Sequence, residues 1–382
     1  MRFFDNSIVN RLYLHNSLQS FAEYSGSAFV FVYLLKAGMA VPLCFGIMAL
    51  SQFSRLIMRQ IVVPLVLNVG LRNGLIIGTI GEAITFMILT QVHGLGLPLV
   101  AYVLSLSLGS SIYWTCSHAY FAKFGDHEKR GAQVSVMEVV KALSSVLAPL
   151  LAGLLFVRFN SFAAFGSAST FQAFSVLPLL SLPNVQIERH VRIPPRLRNL
   201  ALAFAFSDGI LGAAHQFIWL IALFVSLGEN FARFGTALAL AGLVGAGMAL
   251  ATGRLFDLGH IKHIAMLGFA AVCISTLSKA FGFGLPWSAV AASAVGAVVG
   301  PIHAAAIMPR VYNLAKASPC SLRYFVLGEG GWDLGTGFGC SIAALLTLYG
   351  FSMFWPLLFG LVGCVLCYTL LHQTSAVEFE TS

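Results

Sequence analysis

Charged side chains are scarce in this chain. Asp, Glu, Lys and Arg make up only 9% of the 382 residues, whereas 58% are apolar. A soluble domain carries about 25% charged residues, so this composition excludes a soluble protein whose whole surface faces water. The apolar residues form long runs such as Met39–Met58 and Leu95–Tyr120. These runs approach the ~20 residues that a helix needs to cross a bilayer, so the composition predicts a membrane protein.

Motifs for covalent, redox or nucleotide-driven chemistry are also missing. The seven cysteines are scattered, and Cys364 and Cys367 form a CxxC without a redox context, which argues against a disulfide framework. No phosphate-binding loop and no HExxH motif is present, which argues against an ATP-driven pump and a metalloenzyme. The basic residues lack the aromatic platform of a nucleic-acid-binding surface. We therefore expect no enzymatic activity, no cofactor, no metal and no nucleic-acid partner.

The apolar runs predict twelve transmembrane helices, with six in each half of the chain. Those of the first half are Leu14–Leu35, Ala40–Ile61, Gly74–Gln91, Pro98–Phe121, Val134–Val157 and Phe162–Leu182. Those of the second half are Leu200–Leu227, Phe234–Ala251, Ile264–Phe281, Pro286–Met308, Phe325–Leu348 and Phe351–Leu371.

The links between these helices alternate in charge. An even number of crossings places both termini on one side, and the links on that side carry most of the Lys and Arg, with Arg55, Arg59 and Arg72 assigned to the first of them. The opposite side carries only Lys36, Arg158, Arg233 and Lys279. Basic links mark the cytoplasmic side, so we expect a plasma-membrane protein of bacterial inner-membrane type with both termini in the cytoplasm.

A basic stretch near the midpoint divides the chain. Residues 183–199 read PNVQIERHVRIPPRLRN and are interpreted as a cytoplasmic connector. They separate a first six-helix bundle at residues 1–182 from a second at residues 200–372, which is followed by a tail at residues 373–382. The halves echo one another weakly. Glu23 and Asp208 occupy related places in the first and seventh helices, as do Glu138 and Glu329 in the fifth and eleventh.

Glycine and charged residues recur after the second and the eighth predicted helices. They are Gly70 and Arg72 after the second, and Gly253, Arg254, Asp257, Gly259 and Lys262 after the eighth. In these residues the sequence resembles the major facilitator superfamily of transporters, which carries a Gly-x-x-x-Asp-Arg-x-Gly-Arg-Arg motif at both places. The resemblance implies an all-α membrane fold of two pseudo-symmetric six-helix bundles, transport by alternating access, and a cytoplasmic gating contact at these residues.

A second resemblance concerns the direction of transport. The run Ala148-Pro149-x-x-Ala152-Gly153 in the fifth helix is similar to the Gly-Pro-x-x-Gly-Gly signature of drug exporters, with alanines at two glycine positions. It hints at efflux. Close packing of small residues beside a proline bend explains the run equally well.

Four carboxylates inside helices are the predicted proton-coupling groups. Ionisable residues in a membrane usually face a cavity or a partner. Glu23 and Asp208 are therefore proton carriers or structural hydrogen-bonding groups. Glu329 and Asp333 lie four residues apart on one helix face, where their repulsion favours a shared proton, a metal or a cationic substrate.

The predicted substrate cavity is lined by six further residues. Glu138 and Lys141 lie three apart and either pair with each other or bind a charged substrate. His215, Gln216 and Trp219 follow Asp208 at spacings interpreted as one helix face, and Trp332 lies beside Asp333. Glu82, His118 and His303 are interpreted as structural or solvated, and no arginine is expected deep inside a helix.

Together these features predict a monomeric secondary transporter for a small molecule, with protons as the coupling ion and lipid as its surroundings. Export of an amphipathic or cationic compound is the favoured direction and cargo. Two alternatives remain open. One is an importer or facilitator of a small polar metabolite, and the other is a non-transporting sensor or assembly protein. The last would be favoured by a filled centre and salt-bridged, buried carboxylates.

Overall fold

The computed structural model describes residues 6–126, 130–189, 191–257 and 261–381, and leaves out the side-chain surroundings of 130–132, 135, 249–257, 261–266, 305 and 371–381. Within these ranges the chain is helical and has no β-strand. The twelve helices are α1 (residues 7–36), α2 (Val41–Val69), α3 (Leu71–Leu89), α4 (Leu97–Phe124), α5 (Arg130–Arg158), α6 (Ser161–Ser181), α7 (Pro195–Ser226), α8 (Phe231–Asp257), α9 (Ile261–Gly282), α10 (Pro286–Ala317), α11 (Ser321–Leu348) and α12 (Phe354–Thr381).

Length and hydropathy agree with a membrane protein. Eight of the described helices contain an apolar stretch long enough to cross a bilayer, namely α2 to α8 and α10. The apolar parts of α9 and α12 are shorter, and α1 and α11 carry more polar residues. The hydrocarbon region of a bilayer favours helices, because a helix satisfies its backbone hydrogen-bonding groups internally. The predicted all-α fold with twelve helices is thus confirmed.

Several helix ends differ from the predicted ones. The helix α2 continues to Val69 instead of ending at Ile61, α7 begins at Pro195 within the predicted connector, and α12 continues to Thr381. The α2 difference arises because arginines interrupt its hydropathy, although the apolar run Val62–Val69 follows them. Arg55 and Arg59 lower the hydropathy inside the span, so the predicted end of α2 falls too early.

The two six-helix halves repeat the same packing pattern. Contacts of α1 with α5 and α6 recur between α7 and α11 and α12, and the α3–α4 contact recurs between α9 and α10. The halves meet along α2–α11 and α5–α8, which are related by the same exchange of halves. This arrangement is the pseudo-symmetric pair of bundles that repeat-built transporters share.

Both ends of the molecule contain an apolar cluster that joins the halves. We call the end with the first and last described residues the terminal face and the other end the opposite face. Near the terminal face, Leu12 and Tyr120 belong to one cluster with Leu197 and Tyr324. Near the opposite face, the ring of Phe29 meets that of Phe234 at 5.2 Å between centroids. The halves are therefore in contact near both faces.

The α7–α11 contact depends on glycines spaced four residues apart. Gly331, Gly335 and Gly339 bring the α11 backbone against α7, and a Cβ on Gly335 would overlap the carbonyl oxygen of Phe206. Small residues at such spacing allow helix backbones to approach closely in membranes.

A Gly335→Ala variant should lower the thermal unfolding midpoint in detergent, because the added methyl group forces α7 and α11 apart at a cost of about 1–3 kcal/mol. Gly328→Ala is the matched control on the same helix, since a Cβ there meets nothing within 4 Å. Fluorescence-detected size exclusion after heating measures both variants. Equal midpoints would contradict the proposed close contact.

Candidate functional site

Two arginines of α2 lie inside the membrane span. Arg55 lies near the middle of α2, and Arg59 begins a 3-10 turn, Arg59–Ile61, that interrupts the helix. Pro64 follows this turn and cannot donate to the carbonyl of Gln60, which favours the local tightening. Arg59 is 1% exposed. The assignment of both arginines to a cytoplasmic link, and the expectation of no arginine deep in a helix, are wrong.

Asp333 of α11 is the counter-ion of these arginines. Its side chain is fully buried, and its Oδ2 accepts from Arg59 Nε at 3.0 Å and from Arg59 Nη2. Arg55 Nε lies 3.1 Å from Oδ1, in an ion pair without hydrogen-bond alignment. Arg59 Nη1 donates to Thr115 of α4. One carboxylate therefore joins the two halves of the protein at the level of the membrane interior.

Glu329 belongs to the same cluster but is held more loosely. Its Oε2 lies 3.8 Å from Arg55 and 3.9 Å from Arg59, beyond hydrogen-bond distance. Its Oε1 lies 3.4 Å from His118 Nε2, and Nδ1 of this histidine lies 2.7 Å from the Tyr312 hydroxyl of α10. His118 was interpreted as solvated, and the structure instead places it between α4, α10 and α11.

The predicted repulsion between Glu329 and Asp333 is thus relieved by Arg55 and Arg59 of the other half. The signal was present in the sequence. Arg55 and Arg59 have the same i, i+4 spacing as the two carboxylates, so two matching charged faces can pair. Trp332 completes the cluster, since the Arg55 guanidinium lies 5.5 Å from the centroid of its ring.

Two carboxylates of the first half, Glu23 and Glu82, have amide partners and no ion pair among the described residues. Glu23 accepts from the Gln19 amide at 3.3 Å, and Glu82 of α3 accepts from Gln172 of α6 at 2.7 Å. No described basic residue forms an ion pair with either carboxylate. An amide donor leaves a carboxylate able to take up a proton without breaking a salt bridge.

The other pairs predicted from the sequence have separate surroundings. Lys141 Nζ lies 2.9 Å from Glu138 Oε1, so these two form the expected intrahelical ion pair. In the second half, Asp208 Oδ1 lies 3.0 Å from His303 Nε2, and His303 Nδ1 lies 3.2 Å from the Tyr368 hydroxyl. His303 is therefore a partner of Asp208, although its position indicated a solvated residue.

The residues after Asp208 lie on a π-helical turn, Ala213–Ile218. His215 Nε2 lies 2.8 Å from Thr276 of α9, and Trp219 Nε1 donates to Ser293 of α10 at 3.0 Å. Gln216 is exposed and does not share their surroundings. The expected single face is therefore wrong for Gln216, because the π turn changes the angle between successive side chains.

Comparison with known proteins identifies the family. A sequence profile described as Major Facilitator Superfamily matches residues 18–319, most of the chain. The chain belongs to the major facilitator superfamily. No curated protein sequence matches it. The structure is similar to the human organic anion transporter MFSD10 (TETRAN), with a TM-score of 0.62 and 16% identity over 95% of this chain and 98% of that one. It is also similar to the major facilitator transporter FucP in its outward conformation, with a TM-score of 0.66 and 12% identity over 98% and 99% of the two chains.

Membership of the major facilitator superfamily makes the protein a membrane transporter by family, and the two solved structures support the fold alone at these identities. The family's gating motif is only partly described. The structure describes the backbone but not the surroundings of four motif residues, Gly253, Arg254, Asp257 and Lys262. The fifth, Gly259, lies outside the described residues.

Gly70 and Arg72, the residues of the gating motif that are present in the first half, contact the connector. Gly70 has a φ of 84°, and a Cβ there would overlap the side chain of Asn184. Asn184 accepts from the Arg72 amide at 3.1 Å and donates to the Val69 carbonyl at 2.9 Å. The α2–α3 turn therefore holds the start of the connector, and a gating role for Gly70 and Arg72 stays a prediction.

An Asp333→Asn variant should destabilise the protein by about 3–5 kcal/mol, because it leaves two arginines buried without their nearest counter-charge. Adding Arg59→Gln should restore part of this loss. A double-mutant cycle on unfolding midpoints in detergent measures the coupling between the two residues. Glu188→Gln, an exposed carboxylate of the connector, is the control. An Asp333→Asn midpoint equal to that of Glu188→Gln would refute the structural role of the pair.

Proposed function

We propose that this transporter is a proton-coupled secondary carrier that moves a small amphipathic compound by alternating access. The observation that supports this best is the charge cluster between α2 and α11. Its four members, Arg55, Arg59, Glu329 and Asp333, join the two halves inside the membrane. Alternating access moves one bundle against the other, so contacts between the bundles set the energy of that motion.

The two carboxylates of the cluster suit different tasks. Asp333 is fully buried and hydrogen-bonded to Arg59, so it serves as a fixed anchor. Glu329 makes only longer contacts with the arginines and with His118. Protonation of Glu329 removes its share of the attraction between α2 and α11 while the anchor stays paired. Binding a proton would then shift the equilibrium between two arrangements of the halves.

Glu23 and Asp208 are the further proton-coupling groups in this proposal. They occupy related places in α1 and α7, the first helix of each half. Glu23 has an amide partner and Asp208 has an imidazole partner. The non-transporting alternative called for salt-bridged carboxylates. Asp333 fits that description, whereas Glu23 does not.

Export is the direction that we propose, in the plasma membrane with the terminal face in the cytoplasm. The exporter-like run of α5 lies against α8, where the Pro149 carbonyl meets Gly235 and Gly153 meets the Phe231 carbonyl. This places it at the second contact between the halves. The ring of Phe31 approaches that of Phe217 across the halves, and Phe217 in turn approaches Trp332 within the second half. These rings would suit an amphipathic cargo. Uptake of a small polar metabolite is the alternative.

Amide replacement tests the proton-coupling groups. Glu23→Gln and Asp208→Asn should each abolish transport driven by an imposed pH gradient in proteoliposomes, whereas exchange of substrate without a gradient should persist. A panel of amphipathic cations, anions and neutral compounds supplies the substrate, and Glu188→Gln is the control. Full pH-driven transport in both variants would remove these residues from the coupling mechanism.

Locking the opposite face tests alternating access. Lys36, the last residue of α1, and Glu229 of the α7–α8 link form an exposed ion pair of 3.2 Å. In a background without the seven native cysteines, cross-linking of the double variant Lys36→Cys and Glu229→Cys with a short bis-methanethiosulfonate reagent should stop transport, and reduction should restore it. The two single-cysteine variants are the controls. Transport at the full rate through the cross-linked protein would contradict relative movement of the halves at this face.

A further inference from the structure

Lys279 lies near the end of α9 but points into the second bundle. The charge pattern assigned it to the opposite-face surface, whereas the structure leaves only 5% of it exposed. Side chains of a helix lean toward its N-terminus, which for α9 is toward the membrane interior. Gly296 of α10 provides the room, because a Cβ there would lie 2.9 Å from Lys279 Cε.

The partners of Lys279 are all uncharged when the histidine is neutral. Its Nζ lies 3.1 Å from His215 Nδ1 and 5.6 Å from the centroid of the Trp219 ring. A protonated lysine only donates, so His215 Nδ1 accepts and Nε2 carries the proton. That proton faces Thr276 Oγ1 at 2.8 Å, and Thr276 donates in turn to the Val272 carbonyl. The tautomer of His215 is assigned from this network.

This cluster contains several donors and no acid. Within the part of the chain that the structure describes, no carboxylate pairs with Lys279. The nearest acid along α7, Asp208, bonds His303 instead. Trp219 Nε1 and the Ser293 hydroxyl add two more groups that can donate. An ammonium group without a counter-ion is costly inside a membrane protein, so such a cluster favours an anionic ligand.

The cluster is close to the boundary between the halves, because Phe217, on the same π turn as His215, meets the Phe31 ring of α1 at 6.3 Å between centroids. His215 lies on the π turn of α7, and the next residue, Gln216, is exposed. Phe217, one further along, contacts Trp332 of α11 at 6.2 Å between ring centroids. A π turn is a common feature of functional sites, because it places side chains where a regular helix would not. The same π turn therefore holds His215 against α9 and Phe217 against α11.

We infer that Lys279 binds the acid group of the transported compound, so the cargo is a small organic monoanion with an apolar or aromatic body. Trp219 and Ser293 would donate to the same acid group once their mutual bond opens, and the rings beside Gln216 would contact the apolar body. This inference rests on the proposed transport function and assigns it a substrate class. It replaces the amphipathic cation as the expected cargo.

Binding of benzoate tests the inference, with benzyl alcohol and benzylamine as its neutral and cationic counterparts. Isothermal titration on the purified full-length protein should show that benzoate binds and that the two counterparts do not. Lys279→Met should weaken benzoate binding about tenfold or more, because a charge-assisted hydrogen bond is lost. Lys279→Arg should retain part of the affinity. Lys123→Met, at an exposed position of α4, should bind as the parent does.

Trp219→Phe provides a second variant in case Lys279→Met does not fold. It keeps an aromatic ring and removes the Nε1 donor, so it should also weaken benzoate binding. A purely structural role for Lys279 would lower the unfolding midpoint and leave benzoate affinity unchanged in the folded fraction.

Three results would overturn the anionic class: no benzoate binding by the parent protein, equal affinity in Lys279→Met, or preferred binding of benzylamine. Transport driven by a pH gradient is measured on the same preparations with the wider compound panel. If that transport persists while benzoate fails to bind, only the substrate class is wrong. If no compound moves under a gradient, the proposed function itself is wrong.

Discussion

The α2–α11 contact between the two halves depends on a single buried carboxylate. Asp333 has no exposed surface, and its negative charge is balanced by Arg59 and Arg55 of the other bundle. A charge in the membrane interior costs several kcal/mol unless it is paired, so neither half can present its charged face to lipid. This requirement holds α2 against α11, with Arg59 at the 3-10 turn of α2 and Arg55 one helical turn before it.

The two bundles share a fold but differ in chemistry. In the first, Glu23 and Glu82 are hydrogen-bonded by glutamine amides, which leaves acidic groups without cations. In the second, Lys279 lies among hydroxyl, indole and imidazole groups. Among the described residues, Glu23 and Glu82 of the first bundle and Lys279 of the second form no ion pair, so these ionisable groups differ in sign between the two bundles. Under the proposed function, this difference would orient a cargo that has one charged end.

The sequence was sufficient for the helix count, the division into halves and the family, because long apolar runs and their punctuation depend on the bilayer alone. It was insufficient for the partners of charged residues. Arg59 was assigned to a link because hydropathy falls at any charge, and its partner Asp333 lies 274 positions away in the chain. Lys279 and His303 were missed for the same reason, since their burial depends on helices that are distant in sequence. The matching four-residue spacings of the arginines and the carboxylates were the one local sign.

The helix α11 contacts two of its neighbours, α7 and α2, by different means. Against α7 its backbone touches backbone through Gly331 and Gly335, whereas against α2 it is held by side chains such as Phe53 and Arg59. Backbone contacts leave no room to slide, but side chains can change rotamer and partner. We therefore expect the α7–α11 pair to move as one unit, and a shift of this pair relative to the first half to be taken up by the side chains of α2. The π turn with His215 and the carboxylate of Glu329 would then keep their relative positions during such a shift.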